Sequence, residues 1–153
     1  MDLLPAFLIG LLTGLRSFTP TAITAWGAFA GRLKLVRPLA LIGSLPAFII
    51  FALLALGELV VDKLPKTPSR TAPPGLIARF ILGGLAGACL AEAGGESALV
   101  GAVLAAVAAV VGAFVGHFLR TRSVKALGTR DLYVATVEDL IAIVGSFLVV
   151  TRF

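Results

Sequence analysis

Two long stretches of the chain carry almost no ionisable side chain, and they restrict its fold more than any other feature. Residues 38–57 contain none, and residues 97–119 contain only His117. At about 1.5 Å of rise per residue, helices of these lengths reach roughly 30–35 Å, the thickness of a bilayer's hydrocarbon core. Hydrophobic residues make up 59% of the chain and charged residues 14%, against roughly 45–50% and 25% in soluble domains. The sequence therefore predicts an integral membrane protein.

The fold we predict is all-α: a polytopic bundle of glycine-rich transmembrane segments, with residues 1–153 forming one membrane domain. About five hydrophobic segments are expected, at about 3–30, 38–61, 76–91, 97–119 and 133–151. Polar residues 16–21 interrupt the first segment, so we expect it to be broken or re-entrant. The short turn 92–96 joins the third and fourth segments, which predicts a tight antiparallel hairpin.

The charges of the connections predict an orientation. Loops 62–79 and 120–131 are basic, whereas the turn 92–96 carries only Glu92 and Glu96. The positive-inside rule then places the two basic loops in the cytoplasm and the acidic turn outside. Five crossings would put the N-terminus inside and leave the basic stretch 32–37 outside, against the rule. A re-entrant first segment moves the N-terminus but does not remove that conflict.

Small residues recur at the spacing of helix contacts. The pairs are Gly10/Gly14, Gly27/Gly31, Gly83/Gly87 and Gly112/Gly116. Such rows let membrane helices approach closely, which favours a tight bundle or homo-oligomer packing. A pathway lined by these faces is the less favoured alternative.

Arg16 is the charge that most needs an explanation. It lies about fourteen positions into the first segment, and a charge at mid-membrane costs about 2.5–3.5 kcal/mol on insertion scales. Arg16 either pairs with acids or lines a site at a helix break, where freed backbone groups must be satisfied by protein or water.

Charged residues from four segments are expected to converge beneath the cytoplasmic surface. The ion- or substrate-binding site that we predict comprises Arg16, Glu58, Asp62, Arg120, Glu138 and Asp139, with His117 and Arg79 nearby. These residues form either an ion-pair network or a cation or proton site built on Glu58 and Glu138, because intramembrane carboxylates are functional candidates by default. A third interpretation is that basic residues bind anionic lipid headgroups: Lys63, Lys66, Arg70, Arg122 and Lys125.

Several classes of function are not expected. His117 and Cys89 each stand alone, so no metal site is predicted, and no catalytic or phosphate-binding motif appears. The net charge of +5 is spread over loops, without the basic helix or aromatic platform typical of nucleic-acid binding. We expect no cofactor, no nucleic-acid partner and no enzymatic activity.

Four blocks carry a family resemblance: GLRSFTP (14–20), GELVVDKLPKTPSR (57–70), GAFVGHFLRTR (112–122) and VEDLIAI (137–143). In order and spacing they resemble the domain-of-unknown-function 4126 family of small bacterial membrane proteins. The resemblance implies a compact helical inner-membrane protein and supplies no activity. It also implies that the family pattern includes Arg16, Glu58, Asp62, Lys63, Arg120, Glu138 and Asp139.

Our leading hypothesis is a small multi-pass transporter or channel-like protein, homo-oligomeric, in the bacterial inner membrane among its lipids. It would move an unidentified ion or small solute past Arg16, Glu58 and Glu138. The alternative is a non-transporting scaffold or lipid-interacting protein with a structural ion-pair network. A transport site predicts a broken first helix and a water-reachable cavity at the acids, whereas a scaffold predicts complete pairing and no cavity.

Overall fold

A computed structural model of the chain describes residues 2–64, 69, 71–128 and 130–153, and the regular structure within these ranges is entirely helical. The elements are α1 (Leu4–Leu15), α2 (Phe18–Phe29), a short 3-10 helix (Leu39–Gly43), α3 (Leu45–Val61), α4 (Pro73–Ala93), α5 (Ala98–Leu127) and α6 (Asp131–Thr151). Helices α4, α5 and α6 are long and apolar enough to cross a membrane, by length and composition, whereas α1 and α3 are shorter apolar helices.

The first hydrophobic segment is a re-entrant pair of helices. Arg16 separates α1 from α2 in an extended conformation, with φ −138° and ψ 121°. At the start of α1, the backbone N–H of Asp2 donates to Glu96 Oε1 over 3.2 Å. Near the end of α2, Gly27 lies against Val150, close to the C-terminus of α6. Both outer ends of the pair therefore lie at the same end of the bundle, and the chain reverses at Arg16 and Ser17.

We call Arg16 and Ser17 the tip. The end of the bundle that holds Asp2, the 92–97 turn and Arg152 is the turn end, where Arg152 pairs with Asp2 over 2.8 Å. The end that holds residues 61–64, 128 and 130–131 is the loop end. The predicted interruption of the first segment is confirmed, in its re-entrant form. The alternative in which the first segment crosses the bundle, and the N-terminus lies opposite the acidic turn, is wrong.

Small residues hold the central helices together. The predicted hairpin of α4 and α5 is confirmed: a Cβ atom on Gly83 would lie 2.7 Å from Ala109 Cβ, and one on Gly87 would lie 2.7 Å from the Gly101 carbonyl oxygen. Helix α1 packs on the same helix α5, where a Cβ on Gly14 would lie 2.5 Å from backbone atoms. Backbones approach this closely only where side chains are absent or small.

Two helix boundaries and one glycine pair differ from the sequence expectations. Helix α5 continues to Leu127, so most of the predicted loop 120–131 is helical; it ends where Gly128 adopts φ +58°, the left-handed cap conformation that glycine favours. The second segment is divided, because Ser44 caps a new helix by accepting a hydrogen bond from the Ala47 N–H over 3.4 Å. Gly27 and Gly31 are not a helix-contact pair, since α2 ends at Phe29 and Gly31 lies in open space.

Large apolar side chains cover the outside of the bundle, and the buried interior combines alanines and a few larger aliphatic residues with several hydroxyl groups. Thr13, Thr21, Thr24 and Ser146 are fully buried, whereas many large aliphatic side chains on α3, α5 and α6 are exposed. Thr13 and Thr24 donate to carbonyls of their own helices four residues earlier, over 2.8 and 2.9 Å, which satisfies their hydroxyls without water. Apolar surface on this scale suits a lipid environment rather than water.

Candidate functional site at the hairpin tip

The site is built around Arg16, whose side chain is fully buried. Its Nε donates to Asp139 Oδ1 over 2.5 Å, and its two terminal nitrogens form ion pairs with Asp62, after α3, and with Asp139, on α6. Lys63 reaches the other oxygen of Asp139 over 3.1 Å. Two acids from different helices therefore compensate one buried guanidinium, and one of them also binds a lysine.

The inner ends of the two half-helices are buried, and their backbone groups hydrogen-bond to side chains of opposite charge. Glu58 accepts hydrogen bonds from the N–H groups of Ser17 and Phe18, over 2.6 and 2.9 Å, at the start of α2. Arg79 donates to the carbonyl of Gly14, over 3.0 Å, in the last turn of α1. A carboxylate at a helix N-terminus and a cation at a C-terminus both complement the helix dipole and the unpaired backbone groups. The broken helix is thus closed by protein groups on both sides.

A second set of ion pairs lies beside the first. Arg120, on α5, binds Asp131 through Nε over 2.7 Å and through Nη2, and its Nη1 lies 3.5 Å from Glu138 Oε2. Asp131 and Glu138 are seven residues apart, so they share a face of α6. Since Glu138 adjoins Asp139 in sequence, α6 connects the two sets.

We define the tip cluster as Arg16, Glu58, Asp62, Lys63, Arg79 and Asp139, and the side cluster as Arg120, Asp131 and Glu138. The tip cluster holds three basic and three acidic residues, so its formal charge is zero. Asp139 lies eight residues after the start of α6, about 12 Å along the helix axis. The tip cluster therefore lies about two helical turns from the start of α6 and is neutral.

The six residues of the predicted site do not form one group, because they are divided between the two clusters. Arg16, Glu58, Asp62 and Asp139 lie at the tip, whereas Arg120 and Glu138 belong to the side cluster. Glu58 binds the α2 backbone and Glu138 binds Arg120. In the alternative of a cation or proton site built on both glutamates, the two carboxylates therefore have different partners.

The structure adds roles that the sequence did not reveal. Lys63, expected at lipid headgroups, is one of the cations bound to Asp139. Arg79 was expected near the site, but its hydrogen bond to α1 was not. Of the other residues predicted to contact lipid headgroups, Arg122 and Lys125 are exposed on α5. Lys66 and Arg70 lie outside the described residues. The polar block 16–21 is the sequence feature that could have predicted these contacts, because a helix break there leaves backbone groups that need hydrogen-bond partners.

Comparison with known proteins identifies the family. The model of the domain of unknown function DUF4126 matches residues 3–152. The chain belongs to the DUF4126 family. The matched range includes every residue of the tip and side clusters. No curated protein and no solved structure gives a significant match.

Proposed function

We propose that this DUF4126 protein is a small membrane transporter or channel-like protein that moves an ion or small solute past the tip cluster. One observation carries the proposal: two half-helices end inside the bundle at a fully buried arginine paired with acids from α3 and α6. Interrupted helices at membrane depth are typical of binding sites in transporters, where helix ends and ionisable side chains face the substrate.

The exposure of the side chains indicates where a substrate would enter. The side chains of Lys63 and Asp62 are 34% and 21% exposed, whereas that of Arg16 is completely buried. Lys63 is therefore the outermost partner of Asp139. We propose that a small cation replaces the Lys63 ammonium group at Asp139, so that the cluster stays neutral while the ion is bound. Because an unpaired charge in a low-dielectric interior is costly, exchange between cations is easier than opening an empty acidic site.

A second candidate is a non-transporting scaffold, and the pairing itself favours it. Each acid of the tip cluster has a partner: Asp62 and Asp139 bind Arg16, and Glu58 binds backbone N–H groups. In addition, two shallow apolar grooves lie away from the tip, one on residues 38–51 with Leu85 and one on residues 99–107. A network of this kind would hold α2, α3 and α6 at the tip and carry no substrate.

The proposal also includes the cellular setting. We place the protein in the bacterial inner membrane, crossing it several times as a homo-oligomer, without a cofactor and without enzymatic activity. The positive-inside rule puts the loop end, with Arg122 and Lys125, in the cytoplasm. The re-entrant pair then places the N-terminus outside, together with the acidic turn.

Flux into proteoliposomes tests the transport proposal. Wild-type protein is screened with alkali cations, protons and small organic solutes, and then compared with Asp139→Asn, Glu58→Gln and Lys63→Gln. Asp131→Asn is the matched control, because Asp131 is an exposed aspartate on the same helix. We expect Asp139→Asn to reduce flux at least tenfold, Lys63→Gln to retain or increase it, and the control to match wild type.

Two results would contradict the transport proposal. The first is that no substrate of the screen crosses wild-type vesicles. The second is that Asp139→Asn and Glu58→Gln transport like wild type although they remain folded. Absence of flux together with a large loss of stability in Asp139→Asn would support the scaffold instead.

A further inference from the structure

An apolar groove lies at the turn end of the bundle. It is lined by side chains of the 3-10 helix, α3 and α4: Pro38, Leu39, Leu41, Ile42, Ala47, Phe51 and Leu85. Its volume is about 430 Å³, and its lining is almost wholly apolar. Such a lining suits a hydrocarbon chain and offers nothing to a polar solute.

Free cations stand directly before this groove in the chain. Lys34 and Arg37 are exposed, and Arg37 immediately precedes Pro38, which lines the groove. Among the residues that the structure describes, neither Lys34 nor Arg37 takes part in an ion pair. The third cation of this stretch, Arg32, lies over the ring of Trp26 at 5.8 Å.

The backbone of the basic stretch is tied to the bundle. The N–H of Val36 donates to Glu92 Oε2 over 3.3 Å, and Leu33 is buried in the core beside Leu90 and Val150. Glu92 thus binds the backbone between the two free cations rather than either side chain. The cations are held near the groove by contacts on both sides of Lys34.

We propose that this groove holds one acyl chain of an anionic phospholipid, with the headgroup phosphate bound by Lys34 and Arg37. The charges and the apolar lining complement the two parts of that one molecule. The proposal also explains the basic stretch 32–37, which lies at the turn end and contradicts the positive-inside rule. Two of its cations serve a bound lipid, and the third lies on Trp26.

Lipid binding to the purified full-length protein tests this. Native mass spectrometry is used to compare phosphatidylglycerol with phosphatidylcholine of identical chains, and glycerol phosphate serves as the headgroup without a tail. We expect one phosphatidylglycerol to bind tightly. The Lys34→Gln/Arg37→Gln variant should bind it about 30-fold more weakly, from the usual contribution of two basic residues at an anionic headgroup.

Two further variants separate the groove from the charges. Ala47→Phe fills the groove. It should weaken the binding of phosphatidylglycerol and leave the binding of glycerol phosphate unchanged. Arg122→Gln/Lys125→Gln removes two exposed cations from the loop end and should leave the tight site unchanged. The charge variants alter only exposed side chains, so they keep the test valid if Ala47→Phe does not fold.

Three outcomes would overturn the proposal. Equal binding of phosphatidylcholine would show that the charges are not used. Unchanged binding in the Lys34/Arg37 variant would place the lipid elsewhere. Glycerol phosphate that binds as tightly as the lipid would remove the role of the groove. None of these measurements depends on transport, so this proposal and the transport proposal can fail separately.

Discussion

Neutralising Asp139 should destabilise the protein far more than neutralising Asp131, although both are aspartates on α6 that pair with an arginine. The side chain of Asp139 is 9% exposed and that of Asp131 is 60% exposed. In Asp139→Asn the fully buried Arg16 keeps only Asp62, and the tip cluster gains a net positive charge. Removing one partner of a buried ion pair costs about 3–5 kcal/mol, whereas an exposed pair contributes about 0.2–1 kcal/mol.

Reversible unfolding in mixed micelles, titrated with a denaturing detergent and followed by far-UV circular dichroism, gives the free energies of unfolding. A double-mutant cycle of Arg16→Gln with Asp139→Asn isolates the pair from other effects of each change. We expect a coupling energy of about 1–3 kcal/mol, the upper range for residues in one ion-pair network. Asp131→Asn should show no measurable coupling to Arg16→Gln, because Asp131 binds Arg120.

If Asp139→Asn and Asp131→Asn each lower the free energy of unfolding by less than about 1 kcal/mol, Arg16 does not depend on Asp139 for its compensation. Water would then solvate Arg16 at the tip in place of Asp139. A coupling energy below about 0.5 kcal/mol would show that Arg16 and Asp139 are not direct partners.

Two further predictions concern packing and topology. Gly14→Ala should lower the free energy of unfolding by about 1–3 kcal/mol, because its Cβ would meet the α5 backbone at 2.5 Å. Gly57→Ala is the control, because a Cβ at this position meets nothing within 4 Å. It should be neutral or raise the free energy of unfolding by up to about 1 kcal/mol. In a cysteine-free background, single cysteines at Asp2 and Glu96 should react with an impermeant thiol reagent on one side of the membrane, and a cysteine at Gly128 on the other. Labelling of positions 2 and 96 from opposite sides would exclude the re-entrant hairpin.

The helical class and the tight α4–α5 hairpin could be predicted because their signals are local. Uncharged runs of membrane length predict helices through the transfer free energy of each residue in turn. The glycines at 94 and 95, between two small-residue rows, similarly predict a short turn. The end of α5 was missed for a simple reason: polarity rises at Arg120, but the first residue suited to end the helix is Gly128.

The direction of the first segment is a different kind of question. Residues 16–21 predict a break in the first helix. The same residues are compatible with a kinked helix that crosses the bundle and with a chain that reverses its direction. The outcome depends on where α1 and α2 find partners. Gly10 and Gly14 place α1 against α5, while Trp26 stacks on Phe147 and Gly27 packs on Val150. These contacts join segments that are far apart in the sequence.

The same distinction applies to the charges. The sequence by itself determined that Arg16 lies in an apolar segment and therefore needs either acidic partners or a polar site, because the cost of a buried charge follows from its local surroundings. Only the tertiary structure decided that the partners are Asp62 and Asp139, that Glu58 caps α2, and that Arg120 binds elsewhere. An ion pair acts over a few ångströms, and those distances exist only after the helices have packed.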